Sequence, residues 1–231
     1  MINNIKCLSW NVNGLMNRKD ILSEYLSRND IDIALIQEIK CDPQNNIDIS
    51  GYNKHVLPSK SAQENKYWAR GLVTYVKQSI PSKPSQPLNL GDGVEAILIN
   101  CFDANGKIAL KVQNTYVPQK GLKFHSEELS LVTEPLIIAG DLNASIKGKT
   151  NKNGRELLSY FNSIDNVLTD ADPKCPTHIK GNRLDYILIS NMPYADHSNG
   201  LASSLLSDHK AVVIDINIPQ CELRRKRALR K

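Results

Sequence analysis

The stretch IKCLSWNVNGLMNRKDILSEYLSRNDIDIALIQE, residues 5–38, sets the fold class, because a strand pattern, a helix pattern and a second strand pattern follow one another in it. Its first six residues, IKCLSW, alternate in the manner of a strand. The middle has helical spacing, with one apolar face formed by Ile21, Leu22, Tyr25 and Leu26. The last eight residues, IDIALIQE, read as a second strand. The order strand, helix, strand predicts an α/β protein.

The rest of the chain continues this mixture. Further strands are predicted at GLVTYVK (71–77), EAILINC (95–101), IALKVQNTY (108–116), PLIIAGDLN (135–143), RLDYILIS (183–190) and HKAVVIDINI (209–218), and short helices at FHSEELSLV (124–132) and GRELLSYFNSI (154–164). Asn105 and Gly106 are a strong hairpin signal, whereas the stretch from Cys41 to Lys66 is polar and predicts turns and loops. Hairpins beside helix-separated strands predict two mixed, helix-covered sheets packed on each other.

The composition is that of a globular protein whose excess charge lies at one end. The chain has 231 residues and a net charge of +5, and its last eleven residues hold six Lys/Arg and one Glu, so the remainder has 23 basic and 23 acidic residues. We predict one domain over residues 1–219 and a basic tail or linker over 220–231. No apolar run approaches the roughly 18 residues of a membrane span, and no secretory pattern opens the chain. We therefore expect an intracellular protein with no membrane partner, and five scattered cysteines predict no disulfide framework.

Polar residues recur where the predicted strands end or begin. They are Asn11, Asn13, Glu38, Tyr116, Asp141, Asn143, Asp185, Asp208 and His209. One such residue is commonplace, because loops are polar and only sometimes functional. Their repetition in equivalent positions indicates a shared site.

These residues supply a consistent chemistry. Their hard oxygen donors are the carboxylates of Glu38, Asp141 and Asp208, with Asp185 as a further candidate, and the amides of Asn11 and Asn143, a set that Mg²⁺ prefers. A histidine beside such donors can act as an acid, a base or an electrostatic stabiliser. Hydrolysis of a phosphate ester needs a metal ion, a base for water and donors for the developing charge. The chain has no P-loop, nucleophile elbow, H-E-x-x-H helix or dinucleotide-binding turn, which disfavours those chemistries.

Six motifs, spread over residues 9–209, resemble in order those of the endonuclease/exonuclease/phosphatase family of Mg²⁺-dependent phosphodiesterases. They are SWNVNG (9–14), LIQEIK (35–40), NTYVP (114–118), GDLNA (140–144), RLDY (183–186) and SDH (207–209). Most of them are more similar to the exonuclease III and apurinic endonuclease branch than to lipid or inositol phosphatases. The resemblance implies a four-layer α/β/β/α sandwich, Mg²⁺ as cofactor with Mn²⁺ as an expected substitute, and double-stranded DNA as substrate.

The resemblance implies a metal site and a phosphate contact. Glu38 would be the principal metal ligand, with Asn11 beside it and Asp208 near the metal. Tyr116 would donate a hydrogen bond to the scissile phosphate. Asn13 stands where repair enzymes often carry Asp, so one negative charge near the metal is missing.

It also implies the catalytic residues. Asp141 would position or deprotonate the attacking water, with Asn143 holding its geometry, and either Asp141 or His209 could be the base. His209 would contact the phosphate while Asp185 holds its far ring nitrogen. Asp208 is less suited than Asp185 to orient His209, because adjacent side chains on an extended strand point to opposite faces.

The predicted DNA contacts are Asn13 and the basic run KGKTNKNGR, with Lys147, Lys149, Lys152 and Arg155. Such a cluster suits a phosphate-binding patch, although a solvated loop has the same composition.

Two features distinguish the chain from repair enzymes of this branch. RLDY is preceded by CPTHIKGN, which has Asn182 where repair enzymes have Trp and contains no aromatic residue for an abasic-sugar pocket. The compact motif set, NKNGRELL after GDLNA and the basic tail are similar to endonuclease domains of non-LTR (LINE-type) retrotransposons. That resemblance implies a nuclear enzyme, covalently linked to a reverse transcriptase domain, that nicks target DNA to prime reverse transcription. An abasic-site repair endonuclease, a small-phosphate or lipid phosphoesterase and an inactive nucleic-acid-binding module remain the alternatives.

Overall fold

The computed structural model describes residues 4–62, 67–163, 169–170, 175–192, 197–202 and 206–217. Its helices are α1 (Lys19–Arg28), α2 (Ser126–Ser130) and α3 (Lys152–Ser163). The strands of the first half are β1 (Asn4–Asn11), β2 (Ile33–Gln37), β3 (Tyr52–Leu57), β4 (Lys60–Ala62), β5 (Tyr67–Ala69), β6 (Leu72–Lys77) and β7 (Ser82–Ser85). Those of the second half are β8 (Glu95–Phe102), β9 (Ile108–Tyr116), β10 (Leu136–Asp141), β11 (Thr169–Asp170), β12 (Asp185–Ser190), β13 (His197–Ala202) and β14 (Ala211–Asn217).

The strands form two six-stranded sheets, and β4 pairs with β5 in a separate ribbon. The first sheet has the order β13-β14-β1-β2-β6-β3, in which β1 runs parallel to β2 and antiparallel to β14. The second has the order β11-β12-β10-β9-β8-β7, in which β10 runs parallel to β9 and antiparallel to β12. Both sheets are therefore mixed, as the sequence predicted.

Three apolar clusters arrange these elements in four layers. Leu35 of the first sheet and Ile137 of the second belong to the cluster between the sheets. Leu22 of α1 packs with the outer face of the first sheet, and Leu157 of α3 with the outer face of the second. The order helix, sheet, sheet, helix is the predicted four-layer sandwich.

The period of two along each strand directs several of the polar residues between the sheets. Ile137 and Ala139 of β10 face the inter-sheet core, so Asp141 has the same orientation two residues later. Ile187 of β12 faces that core too, which puts Asp185 on the same side at the start of its strand. The inter-sheet layer is thus apolar along most of its length and polar at one end.

A buried polar bridge joins the two sheets next to this end. Gln37 Nε2 donates to Asn114 Oδ1 at 2.8 Å, and Asn114 Nδ2 donates to the carbonyl oxygens of Ile36 and Val73, both at 3.1 Å. Gln37 and Asn114 are fully buried. Because each bond crosses from one sheet to the other, or ties neighbouring strands, the bridge holds the spacing of the strand ends that carry the site.

The prediction of turns and loops throughout residues 41–66 is wrong, because β3 and β4 lie in that stretch. β3 is the edge strand of the first sheet and none of its residues is fully buried, so it needs no apolar face. The structure also adds β7, an edge strand containing Pro84, and the edge strands β11 and β13. β3 and β7, which have no fully buried residue, leave no apolar alternation in the sequence.

Other expectations can be compared directly. The Asn105-Gly106 hairpin is confirmed, since β8 and β9 pair on either side of it. No helix in the described part of the chain is long and apolar enough to cross a membrane. Cys7, Cys41 and Cys101 are buried free thiols. The predicted tail at 220–231 lies outside the described residues, and the boundary at residue 219 stays a prediction.

Candidate active site

Asp141 lies at the centre of the polar end of the inter-sheet layer. Its position pairs with Tyr116 on one neighbouring strand and with Asp185 on the other. The preceding Gly140 has a φ of 151°, and a Cβ there would lie 1.8 Å from the carbonyl oxygen of Thr115. Only glycine therefore allows β10 to approach β9 this closely just before Asp141.

Two asparagines hold the Asp141 carboxylate. Asn11 Nδ2, from the other sheet, donates to Asp141 Oδ2 at 2.9 Å. The backbone N–H of Asn143 donates to Oδ1 at 2.9 Å, while Asn143 Nδ2 donates to the carbonyl oxygen of Val117 at 3.0 Å. Both carboxylate oxygens are engaged, so the orientation of Asp141 is determined by groups from two segments.

His209 lies next to Asp141, and hydrogen bonds to its ring Nδ1 and its backbone carbonyl hold it in place. Its Nδ1 donates to Asp185 Oδ2 at 2.9 Å, and its carbonyl oxygen accepts a hydrogen bond from Trp10 Nε1 at 3.1 Å. Its Nε2 lies 3.9 Å from Asp141 Oδ2, which is too far for a hydrogen bond. Asp141, Asp185 and His209 are at most 6% exposed. The structure thus brings together the three residues for which the resemblance implied a joint role.

The proximity of these groups shifts their pKa values in the same direction. Burial and the charge of Asp185 raise the pKa of Asp141 to about 7. Burial opposes the charged form of His209, but its hydrogen bond to Asp185 and the charges of Asp185 and Asp141 outweigh it and raise the pKa of His209 to about 9. At neutral pH His209 is therefore a cation between two carboxylates, and Asp141 is close to its titration point.

Glu38 and Tyr116 form the neighbouring part of the site. The Tyr116 hydroxyl donates to the Glu38 carboxylate, and burial followed by the charge of Glu38 raises the pKa of Tyr116, so the phenol stays protonated. Lys40 Nζ lies 2.5 Å from Glu38 Oε2 and donates to Asn13 Oδ1 at 2.7 Å. A side-chain ammonium therefore already sits among these oxygen donors.

Asp208 stands at the outer edge of this group. Its Oδ1 accepts hydrogen bonds from Asn13 Nδ2 and Ser207 Oγ, each at 3.1 Å. Burial opposes ionisation, but these bonds and the charge of His209 lower the pKa of Asp208. Asp208 is thus connected to Glu38 through Asn13 and Lys40.

The oxygen donors present fit a divalent metal ion. Glu38 and Asp208 supply carboxylates, Asn11 adds an amide oxygen, and the Lys40 ammonium shows that this corner stabilises positive charge. Among the described residues, two groups of three have ligand atoms within 4.8 Å of one another: Asp141, Asp185 and His209, and His178, Asp208 and His209. Glu38 belongs to neither group, and it is connected to Asp208 through Lys40 and Asn13. The assignment of Glu38, Asn11 and Asp208 as metal ligands stays a prediction.

Unusual backbone conformations gather around these side chains. Positive φ values between 44° and 59° occur at Asn13, Glu38, Lys40, Arg70 and Asn143. Such values are uncommon outside glycine and cost energy for Glu, Lys and Arg. The backbone N–H groups of residues 39 and 40 donate to the carbonyls of residues 71 and 70, which holds the turn that carries Glu38.

A cleft of about 800 Å³ opens over Asp141 and His209. Its cationic lining consists of Lys120, Lys149, Lys152, Arg155 and Lys180. Three of the four predicted basic contacts are therefore in the lining, whereas Lys147, in the loop before α3, lies exposed outside it. Among the described residues that line the cleft, Tyr116 is the sole Phe, Tyr or Trp.

Sequence reasoning missed several residues of the site. His178 lines the cleft, and its ring lies edge-on to the His209 ring at a centroid distance of 4.8 Å. Asn151 shapes the basic loop by donating to the carbonyl oxygen of Asn143 at 2.7 Å. Lys40 could have been found two residues after Glu38 in LIQEIK, but nothing in the sequence brings His178 next to His209.

Comparison with known proteins is consistent with this geometry. The family model "Endonuclease/Exonuclease/phosphatase family" matches residues 8–209. No curated protein sequence matches the chain significantly.

Solved structures share the fold at low sequence identity. An endonuclease/exonuclease/phosphatase from Bacteroides vulgatus has a TM-score of 0.67 at 14% identity, with 94% of this chain and 99% of that chain covered. The endonuclease domain of TRAS1, a telomere-specific non-LTR retrotransposon, has a TM-score of 0.66 at 16% identity, with coverages of 93% and 99%. The AP endonuclease of Leishmania major has a TM-score of 0.69 at 18% identity, with coverages of 94% and 89%. The motifs, the four layers and the family match together establish that this chain belongs to the endonuclease/exonuclease/phosphatase family, whose members are generally metal-dependent phosphoesterases and nucleases.

Proposed function

We propose that this protein is a Mg²⁺-dependent DNA endonuclease that hydrolyses one phosphodiester bond and leaves a nick. The observation that carries the proposal is the junction of the Asp141, Asp185 and His209 group with a cleft lined by five basic residues. A cationic channel leading to a hydrolytic group suits a polyanionic strand better than a small phosphate or a lipid.

The side chains divide the work of hydrolysis. His209, protonated at neutral pH because its pKa is raised to about 9, donates from Nε2 to the scissile phosphate. Asp141, with a pKa near 7, accepts a proton from the attacking water. Asp185 holds His209, Asn143 holds Asp141, and the protonated Tyr116 is a further donor to the phosphate.

Glu38, Asn11 and Asp208 would hold the metal ion, for which we expect Mg²⁺ with Mn²⁺ as a substitute. A bound divalent cation would supply positive charge to the phosphate oxygens. Lys40 contributes charge at the same corner by pairing with Glu38.

Within this activity we favour nicking of target DNA for a non-LTR retrotransposon, with a covalently linked reverse transcriptase and a nuclear location. The TRAS1 endonuclease domain supports this choice, because this chain covers 99% of it. The near absence of aromatic residues from the described cleft lining also supports it, because an abasic sugar needs an apolar pocket. Repair of abasic sites is the second candidate function, because the Leishmania AP endonuclease shares the fold.

The two candidates differ in the substrate they prefer. We expect the protein with Mg²⁺ to nick a long intact duplex at about the same rate as one carrying a single abasic site. Mapping both sets of cleavage positions on a sequencing gel measures this preference. A rate at the abasic site more than about a hundredfold above that on intact DNA would select the repair function.

The basic lining of the cleft is expected to contact the DNA backbone. Lys149→Ala, Lys152→Ala and Arg155→Ala should each reduce the slope of log affinity against log salt by about 1, because each removes one phosphate contact. Binding to a 20-base-pair duplex by fluorescence anisotropy over a salt series measures the slope. Lys107→Ala, in the β8–β9 hairpin, is the matched control and should leave the slope unchanged. An unaltered slope in all three cleft variants would assign this lining no role in DNA binding.

A further inference from the structure

His178 is fixed in the active site by its backbone. It forms an antiparallel bridge with His209, in which the Lys210 N–H donates to the Thr177 carbonyl at 2.7 Å and the Ile179 N–H donates to the Asp208 carbonyl at 2.9 Å. The segment is also tied to β12, because the backbone N–H of Asp185 donates to Thr177 Oγ1 at 3.2 Å. The two histidines are therefore held as a pair on one rigid platform.

The hydrogen bonding of the His178 ring defines its tautomer. Nδ1 accepts the backbone N–H of Lys180 at 3.1 Å, so the ring is neutral and carries its hydrogen on Nε2. Nε2 is 3.7 Å from Asp208 Oδ2, which is beyond hydrogen-bonding distance. The Nε2–H donor thus has no partner at hydrogen-bond distance in Asp208, on a side chain that is 12% exposed and lines the cleft.

The separation of the two imidazoles suits one phosphate group. A ring nitrogen of His178 and one of His209 lie within 4.8 Å of each other. Each donor atom stands about 2.9 Å from its acceptor, so two donors at this separation can reach two oxygens of the same phosphate. The tautomer argues against metal binding through Nε2, because a nitrogen that carries a hydrogen has no lone pair for a metal.

We propose that His178 is a further catalytic residue, whose Nε2–H donates to a non-bridging oxygen of the phosphate that His209 contacts. The proposal rests on the proposed phosphodiesterase function. It assigns the site two imidazole donors on adjoining backbone segments. The His178 donor stabilises the charge that develops on the phosphate oxygens as water attacks.

Two variants of His178 distinguish a role as hydrogen-bond donor from a role in packing. His178→Phe keeps an aromatic ring beside His209 and lacks the N–H, whereas His178→Gln restores an N–H donor. We expect the single-turnover rate of plasmid nicking at saturating enzyme to fall at least about tenfold in His178→Phe and to recover most of that loss in His178→Gln. The melting temperature should stay at the wild-type value in both. The control is His55→Phe, which removes a histidine on the edge strand β3 whose ring is hydrogen-bonded to Ser82 Oγ.

The outcomes are distinguishable. Nicking at the wild-type rate by His178→Phe overturns the proposal. An equal loss of nicking rate in His178→Phe and His178→Gln, accompanied by a lower melting temperature, also overturns it, because it indicates that His178 has a packing role. If the wild-type protein cleaves no DNA, the proposed function is overturned, and inorganic phosphate then tests His178 alone. Phosphate should shift the imidazole ¹⁵N resonance of His178 Nε2 and bind more weakly to His178→Phe. No shift and unchanged phosphate affinity would refute this inference too.

Discussion

Replacing Asp141 with Asn is expected to reduce the rate of Mg²⁺-dependent plasmid nicking about a thousandfold while the protein stays folded. The amide has nearly the shape of the carboxylate and retains an acceptor for the Asn143 N–H, but it cannot take a proton from water. The measurement is the initial rate of conversion of supercoiled to open-circular plasmid, with circular dichroism to monitor folding.

Asp103→Asn is the matched control for this variant. Asp103 Oδ1 also accepts backbone N–H groups, from Asn105 at 2.8 Å and Lys107 at 2.9 Å, but it lies in the β8–β9 hairpin. This variant should nick at the wild-type rate. Wild-type nicking by Asp141→Asn would remove Asp141 from the catalytic residues.

His209→Gln is expected to slow nicking by about two to four orders of magnitude, because it removes the cation that faces the phosphate. We choose Gln since an alanine would remove the His209 partner of the buried Asp185 carboxylate, and breaking a buried pair in this way costs about 3–5 kcal/mol. The same plasmid assay measures the loss, with His55→Gln as the control. A folded His209→Gln that nicks like the wild type would contradict the assignment.

This variant also has a pH-dependent signature. The folded pKa of His209, about 9, exceeds its ordinary value of 6.5, so the folded state binds more protons than the unfolded state between these values. The stabilisation is complete below pH 6.5 and is lost as the pH rises through about 9. Urea unfolding at pH 6 and pH 9.5 should therefore show a steeper fall in the free energy of unfolding for the wild type than for His209→Gln. Equal falls would mean that the cation contributes nothing to stability.

The fold was predictable where a buried face produces a periodic pattern of apolar residues in the sequence. β1, α1 and β2 occur as residues 5–38 predicted, because each has an apolar face that packs on a core. The sequence did not predict β3 and β7, because edge strands are partly exposed. Their positions depend on pairing with neighbouring strands rather than on their own composition.

The candidate site was predictable as a set of residue types, because strand ends and the resemblance named them one by one. Their contacts were less predictable. Glu38 pairs with Lys40 and Tyr116, and Asp208 pairs with Asn13. These pairings depend on turns with positive φ, which a hydrophobic pattern does not encode.

By itself, the sequence determined the α/β class, the mixed sheets, the family and the chemical types at the strand ends, since periodicity and motifs are local properties. Only the tertiary structure decided that Asp141 lies between Asp185 and Tyr116, that His209 becomes a cation between two carboxylates, and that His178 stands beside it. The physical reason is that these facts depend on which strands are neighbours and on how far each group is removed from water. Strand order and desolvation are properties of the packed chain, and no local stretch of sequence specifies them.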